Sequence, residues 1–407
     1  MGLQVVRSLG SNENENIVKS KRSSTGPRRA LRVVSSSEVN KQVRSFSTKE
    51  AQLKTELIKT DGVSTVDDYD DETEDDMVLE DEEVKHYQQN LTDAEDEEDE
   101  GFQVLEEKIE PMSPKWDASI EAELTAVVRK FFREDPDPKD EDTWDVSMVA
   151  EYGPEIFNHM RDLEIKYAPY SHYVPDIQSE ITWDNRATLM NWIVQVHARF
   201  NLLPETLFLA VNLIDRFLSK RAISLSRFQL CGAIALFIAA KYEEINCPSV
   251  QQMAYMVSND YSIEELLKAE RFMINELKFE MGYPGPMSFL RRTSKADDYD
   301  SETRTLAKYF LEITIMDPRF VASPPSWLAA GAHYLARKML HQGKWTEEHV
   351  FYSGYSEAQL RPLADVLIDN CIDYKNNHKA IFDKYSERRF KRSAIFVQEY
   401  LRESLQY

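Results

Sequence analysis

Residues 230–242, Leu-Cys-Gly-Ala-Ile-Ala-Leu-Phe-Ile-Ala-Ala-Lys-Tyr, run apolar without a break from Leu230 to Ala240. Such a run is too short to cross a bilayer, which takes about 20 residues. Being apolar all round, it predicts a helix enclosed by other helices. The stretch has an echo. Leu-Ala-Ala-Gly-Ala-His-Tyr-Leu-Ala-Arg-Lys-Met at 328–339 repeats its texture, with Gly232 and Gly331 in matching places, and Ile-Asp-Arg-Phe at 214–217 returns as Met-Asp-Pro-Arg-Phe at 316–320. A small residue on an enclosed helix lets a neighbouring helix approach closely.

Working outward, the punctuation divides residues 182–280 into five helices with short connections. Thr182 precedes the helix that carries Asn185-Arg-Ala-Thr-Leu-Met-Asn-Trp-Ile-Val-Gln-Val-His197. Pro204 stands in the first turn of the next. Ser224 or Ser226 starts the enclosed helix, Pro248-Ser249 the fourth, and Ser262-Ile-Glu-Glu265 is a capping box for the fifth. Gly282-Tyr-Pro-Gly-Pro286 then breaks the chain, and a second helical set runs from Met287 to about Arg402. Strand signals are sparse. The expected fold is all-α: two tandem five-helix repeats with flanking helices, preceded by a long disordered tail.

Charge is distributed unevenly over the 407 residues. Residues 61–110 hold 23 Asp and Glu against Lys85 and Lys108, and residues 1–60 hold 12 Lys and Arg against 5 Glu. Residues 1–110 are also poor in aromatics, so they bury too little surface to offset chain entropy and are expected to be disordered. Of the formal net charge of −22, residues 111–407 carry −8, which disfavours a phosphate-backbone binder. Three well-separated cysteines, Cys231, Cys247 and Cys371, point to a reducing compartment. No N-terminal apolar stretch resembles a signal peptide, and the chain is expected to be soluble and intracellular.

Catalytic signatures are missing. There is no Gly-rich phosphate loop, no His-Glu-x-x-His, no Cys-x-x-Cys and no Gly-x-Ser-x-Gly. No nucleophile stands with a base and an orienting group, so a binding or regulatory protein is expected rather than an enzyme, with no cofactor and no metal.

Four stretches carry a family resemblance: residues 185–197, Leu202-Leu-Pro-Glu-Thr-Leu-Phe-Leu-Ala-Val-Asn-Leu-Ile-Asp-Arg-Phe-Leu-Ser219, Leu236-Phe-Ile-Ala-Ala-Lys-Tyr-Glu-Glu-Ile-Asn-Cys-Pro-Ser-Val250, and Pro286-Met-Ser-Phe-Leu-Arg-Arg-Thr-Ser-Lys-Ala-Asp-Asp-Tyr-Asp300. They resemble the cyclin box of fungal B-type cyclins, over about residues 145–400. The resemblance implies two five-helix cyclin folds and a subunit that binds and activates a cyclin-dependent protein kinase of the Cdk1 type. It implies the domain order 1–110 tail, 111–180 linker and N-terminal helix, 181–281 N-terminal box, and 282–407 C-terminal fold with a C-terminal helix.

Residue by residue, the resemblance makes Arg186 and Asp215 a buried structural ion pair between the first two helices of the box. Lys241 and Glu270 match the kinase-contacting pair, with Tyr242, Glu243 and Glu244 beside them. An ordinary Lys after an apolar helix is a solvated end; the resemblance reverses that reading. Asn185, Leu189 and Trp192 share one helical face at i, i+4 and i+7. In cyclins this face is a shallow docking groove for Arg-x-Leu sequences of substrates and inhibitors, and Gln195, Phe228 and Gln229 match its remaining wall. Asn185 departs from the animal pattern, where a Met usually stands, and should make one end of the groove more polar. Ala187, Met190, Ile193, Val194 and Val196 are assigned to the core.

In the tail, Arg28-Arg-Ala30-Leu31 resembles the destruction box of mitotic cyclins, read by the anaphase-promoting ubiquitin ligase, with Lys41, Lys49, Lys54 and Lys59 as candidate acceptors. Lys19-Ser-Lys-Arg22 and Arg28-Arg29 form a candidate import patch, consistent with a nuclear protein that keeps a cytoplasmic pool. Ser113-Pro114-Lys115 is a candidate proline-directed phosphorylation site. Neither nucleic acid nor membrane is an expected partner. The competing readings are a cyclin-fold transcription adaptor, which should carry a basic face, and a cyclin-like scaffold that activates no kinase.

Overall fold

The computed structural model describes residues 109–133, 137–258 and 260–405, all within one compact unit that spans 103–407. Every regular element among the described residues is helical. The acidic block at 61–100, the Arg28-to-Leu31 sequence and the candidate import patch lie outside the described residues.

Two long helices, α1 (Ala118–Phe131) and α2 (Gly153–Lys166), and a one-turn helix at Tyr173–Asp176 precede the first repeat, where the sequence predicts one. Asp117 caps α1 by accepting from the Ser119 and Ile120 amides at 2.8 and 2.9 Å. Both helices turn toward the second repeat, as the contacts below show.

The first repeat comprises α3 (Trp183–Arg199), α4 (Pro204–Leu218), α5 (Phe228–Glu243), α6 (Val250–Met256) and α7 (Ile263–Glu276). Capping boxes start three of them: Thr182 with Asn185, Ser249 with Gln252, and Ser262 with Glu265. Every residue of α5 from Leu230 to Ala240 is buried, as its all-round apolar sequence requires. The second repeat comprises α8 (Pro286–Thr293), α9 (Ser301–Ile313), α10 (Pro325–Met339), α11 (Glu347–Ser353) and α12 (Glu357–Ile372). Its central helix α10 is buried throughout from Pro325 to Arg337. After a one-turn helix at Tyr374–Asn377, two longer helices follow, α13 (Lys379–Ser386) and α14 (Ser393–Leu405).

The two echoing glycines serve one purpose with different partners. A Cβ on Gly232 would stand 2.8 Å from Leu189 Cδ1, on α3, two helices earlier. A Cβ on Gly331 would stand 2.0 Å from Leu363 Cδ2, on α12, two helices later. Both are closer than side chains tolerate, so each central helix is enclosed only because a hydrogen stands where a methyl would.

The repeats and the leading helices are tied by buried polar groups. Arg186 donates to Asp215 from Nε at 2.8 Å and from Nη2 at 2.7 Å, and from Nη1 to the Ile315 carbonyl of the second repeat at 2.7 Å. Tyr173 Oη donates to the same carboxylate at 2.8 Å. Glu164, near the end of α2, accepts from the Ser326 amide at 2.9 Å and its hydroxyl at 2.7 Å, capping the start of α10 from outside that helix. Arg161 Nη2 donates to the Ser353 carbonyl at 2.6 Å, and Lys130 pairs with Glu347.

Candidate functional site: the exposed face around Lys241

Lys241 lies in the last turn of α5, where the buried run meets solvent. Its Nζ pairs with Glu270 Oε1 at 2.6 Å, with side-chain exposures of 42 % and 10 %. The long stem of Lys241 lets a charge stand at the rim of a buried helix, and Glu270 on α7 fixes that charge in place. Next to the pair, Tyr242 and Ile245 expose 57 % and 100 % of their surface. The Tyr242 and Tyr167 hydroxyls each lie 3.9 Å from the position a Cβ on Gly282 would take. Ile165, at the end of α2 and two residues before Tyr167, is 75 % exposed. Near their ends, α2 and α5 each bring large apolar side chains to the surface.

Glu243 is half-buried, and burial, with Glu205 and Glu244 nearby, holds its carboxyl above the usual range. Glu244, expected beside the kinase-contacting pair, is otherwise engaged. Its Oε1 accepts from the Leu203 amide at 2.7 Å and from the Thr206 hydroxyl at 2.6 Å, so it caps the start of α4. The reason is local: Leu203 offers no side-chain cap and Pro204 no amide, so an acceptor has to come from another segment. Ile245 went unpredicted, because an isolated Ile after a helix end breaks no periodicity and signals nothing by itself.

On the face of α3 the residues expected to line a docking groove differ in exposure. Leu189, Trp192 and Phe228 are buried, with 2 %, 5 % and 4 % exposure. Leu189 is held against Gly232 by the close approach of α5. Asn185 is not a free polar wall: its Oδ1 accepts from the Thr182 amide and hydroxyl at 2.9 and 3.0 Å. Gln195 is exposed and Gln229 half-buried. Of the residues assigned to the core, Met190, Ile193, Val194 and Val196 are buried and Ala187 is half-buried.

A second polar cluster lies in the C-terminal repeat. Asp297 accepts from His333 Nε2 at 2.8 Å and His349 Nε2 at 3.1 Å, and it pairs with Arg337. Two histidines and a carboxylate this close could hold a metal ion. The other partners of His349 and Asp297 fit a hydrogen-bonded network better. The Thr346 amide donates to His349 Nδ1 at 3.3 Å, which places the proton on Nε2, and the Arg337 guanidinium already neutralises the carboxylate.

The chain matches the family "Cyclin, N-terminal domain" over residues 155–282 and "Cyclin, C-terminal domain" over residues 284–399. G2/mitotic-specific cyclin-4 of Candida albicans is 66 % identical over 292 residues, 72 % of this chain and 60 % of that protein. G2/mitotic-specific cyclin-4 of Saccharomyces cerevisiae is 50 % identical over 297 residues, 73 % of this chain and 64 % of that protein. G2/mitotic-specific cyclin cig1 of Schizosaccharomyces pombe is 47 % identical over 291 residues, 72 % of this chain and 69 % of that protein. The chain belongs to the cyclin family, among the fungal G2/mitotic-specific cyclins. It spans less than two thirds of the length of the two cyclin-4 relatives.

Proposed function

We propose that this chain is the regulatory subunit of a cyclin-dependent protein kinase of the Cdk1 type, which it binds through the face around Lys241 and Glu270. The observation that carries the reading is Ile245, fully exposed beside Tyr242 and a fixed ion pair. Large apolar side chains grouped at a surface mark a partner site, and a pre-set charge pair gives such a site its register. Packing this face against a mobile kinase helix would favour the kinase conformation in which the Lys–Glu ion pair needed for phosphoryl transfer is formed. The chemistry belongs to the kinase, and this chain supplies a population shift.

The test mixes the full chain with a monomeric Cdk1-type kinase and a histone-type substrate. The wild type should activate strongly, and a Lys241→Ala/Glu270→Ala variant should lose most of the activation. A folded wild-type chain that forms no complex and gives no activation would sink the proposal.

Three finer readings go with it. Arg-x-Leu peptides of substrates and inhibitors would dock along the face of Leu189 and Trp192, contacting Gln195 and Gln229 at its edge. Unchanged peptide affinity in a Gln195→Ala/Gln229→Ala variant would remove that reading. Arg28 and Leu31 would mark the chain for the anaphase-promoting ubiquitin ligase, and a half-life unaffected by Arg28→Ala/Leu31→Ala would exclude it. The Lys19–Arg22 patch would direct the chain to the nucleus, with a cytoplasmic pool; identical imaging after its neutralisation would argue otherwise.

A further inference from the structure

The chain has two Ser-Pro pairs, Ser113-Pro114 and Ser323-Pro324, and the fold brings them together. The Ser323 hydroxyl donates to the Met112 carbonyl at 2.6 Å, and the Met112 amide donates to the Arg319 carbonyl at 2.8 Å. Three residues on, Gln359 Nε2 donates to the Lys115 carbonyl at 2.9 Å, and the Trp116 ring rests 6.3 Å from that of Tyr355. Residues 112–116 therefore form a non-helical strap across the second repeat, held on both sides of Ser113. The two serines differ sharply. Ser323 is buried and its hydroxyl is committed, whereas Ser113 is exposed.

We propose that Ser113 is a phosphorylation site for a proline-directed serine/threonine kinase, and that docking of the strap gates its use. Pro114 keeps Ser113 out of the helical region and offers no amide that would need a partner. The side chain is therefore presented on a segment that can be drawn out straight. In the reaction the Ser113 Oγ attacks the γ-phosphorus of ATP. The new P–O bond forms as the bond to the bridging oxygen breaks. ADP leaves with that electron pair, and the hydroxyl proton passes to the base of the kinase.

The gate follows from the neighbours. A kinase has to accommodate the backbone on both sides of the acceptor, yet both polar groups of Met112 and the carbonyl of Lys115 are held by the chain's own second repeat. The strap has to peel away first, and the fraction of time it is open sets the rate. Ser323, within the folded repeat, gains no such access from a peeled strap.

The experiment incubates the full chain with ATP and a purified proline-directed kinase and follows site occupancy by mass spectrometry. Phosphate should accumulate on Ser113 and not on Ser323, and Ser113→Ala should lose it. Two separately loosened chains, Ser323→Ala and Trp116→Ala, should gain phosphate on Ser113 several-fold faster, with helix content by circular dichroism unchanged. Rates equal to wild type in both loosened chains would overturn the gate. A Ser113 left unmodified in wild-type and loosened chains, while a free peptide of residues 109–119 is phosphorylated, would overturn the site.

Discussion

Arg186 and Asp215 are paired so that one guanidinium holds both carboxylate oxygens and still reaches the Ile315 carbonyl in the next repeat. The pair is almost wholly excluded from solvent, with side-chain exposures of 2 % and 3 %. Removing one partner leaves the other charged and unmatched. Asp215→Ala or Arg186→Ala should cost about 3–5 kcal/mol, whereas Arg186→Met with Asp215→Leu should cost clearly less. Urea unfolding of the three variants checks the ordering; equal losses would mean that the pair itself, and not an orphaned charge, carries the energy.

The glycines predict an asymmetry. Leu363 is fully buried and stands 2.0 Å and 2.8 Å, by Cδ2 and Cγ, from the position of a Gly331 Cβ. At Gly232 the closest atom is the tip of Leu189, at 2.8 Å. Overpacking typically costs about 1–3 kcal/mol. Gly331→Ala should fall at the upper end or beyond and Gly232→Ala at the lower end, as read from thermal or urea midpoints.

The Asp297 cluster predicts acid sensitivity. Burial pushes His333 down to about 3 and His349 down to about 4, and Arg337, not a histidine, neutralises the carboxylate between them. Both imidazoles are therefore neutral in the fold at a pH where they would be protonated in the unfolded chain. Below the ordinary His value of about 6.5 the unfolded state binds more protons, so stability falls as the pH drops through 6 toward 4. Urea midpoints at pH 7, 5.5 and 4.5 should decline, and a His333→Gln variant, less stable at pH 7, should decline less steeply.

Glu244 and Ile245 are neighbours with separable roles. Glu244→Ala removes the acceptor at the start of α4 and should lower stability by about 0.5–2 kcal/mol. Ile245→Asp changes a side chain that touches solvent alone and should leave the unfolding midpoint within about 0.5 kcal/mol, while weakening the complex with the kinase. Calorimetry on the two variants, set beside kinase binding by titration, separates the roles.

The all-helical fold was legible because local chemistry declares itself. Thr182, Ser249 and Ser262 form capping boxes visible in three or four residues, and the apolar run in α5 can only be a core helix. What stayed hidden depends on distant segments. A helical wheel could place Leu189 and Trp192 on one face of α3, but not show that α5 closes over Leu189. Ala380 of α13 likewise settles on Asn191, its amide 3.3 Å from Asn191 Oδ1. The Glu244 cap joins residues 41 positions apart, and the Asp297 cluster spans 52. The turn of α1 and α2 toward the second repeat left no local trace either.

The contrasting neighbours of Gly232 and Gly331 have a consequence for how the molecule can be rearranged. The tandem folds look like two castings from one mould, yet the seam on each central helix faces opposite ways along the chain, back to α3 in one and forward to α12 in the other. They are not exchangeable parts. A chimera carrying the first unit twice would keep its helices and caps, yet its second central helix would look to α3's counterpart for the contact that Leu363 makes here. The side chains that now close around Gly331 would meet the wrong surface.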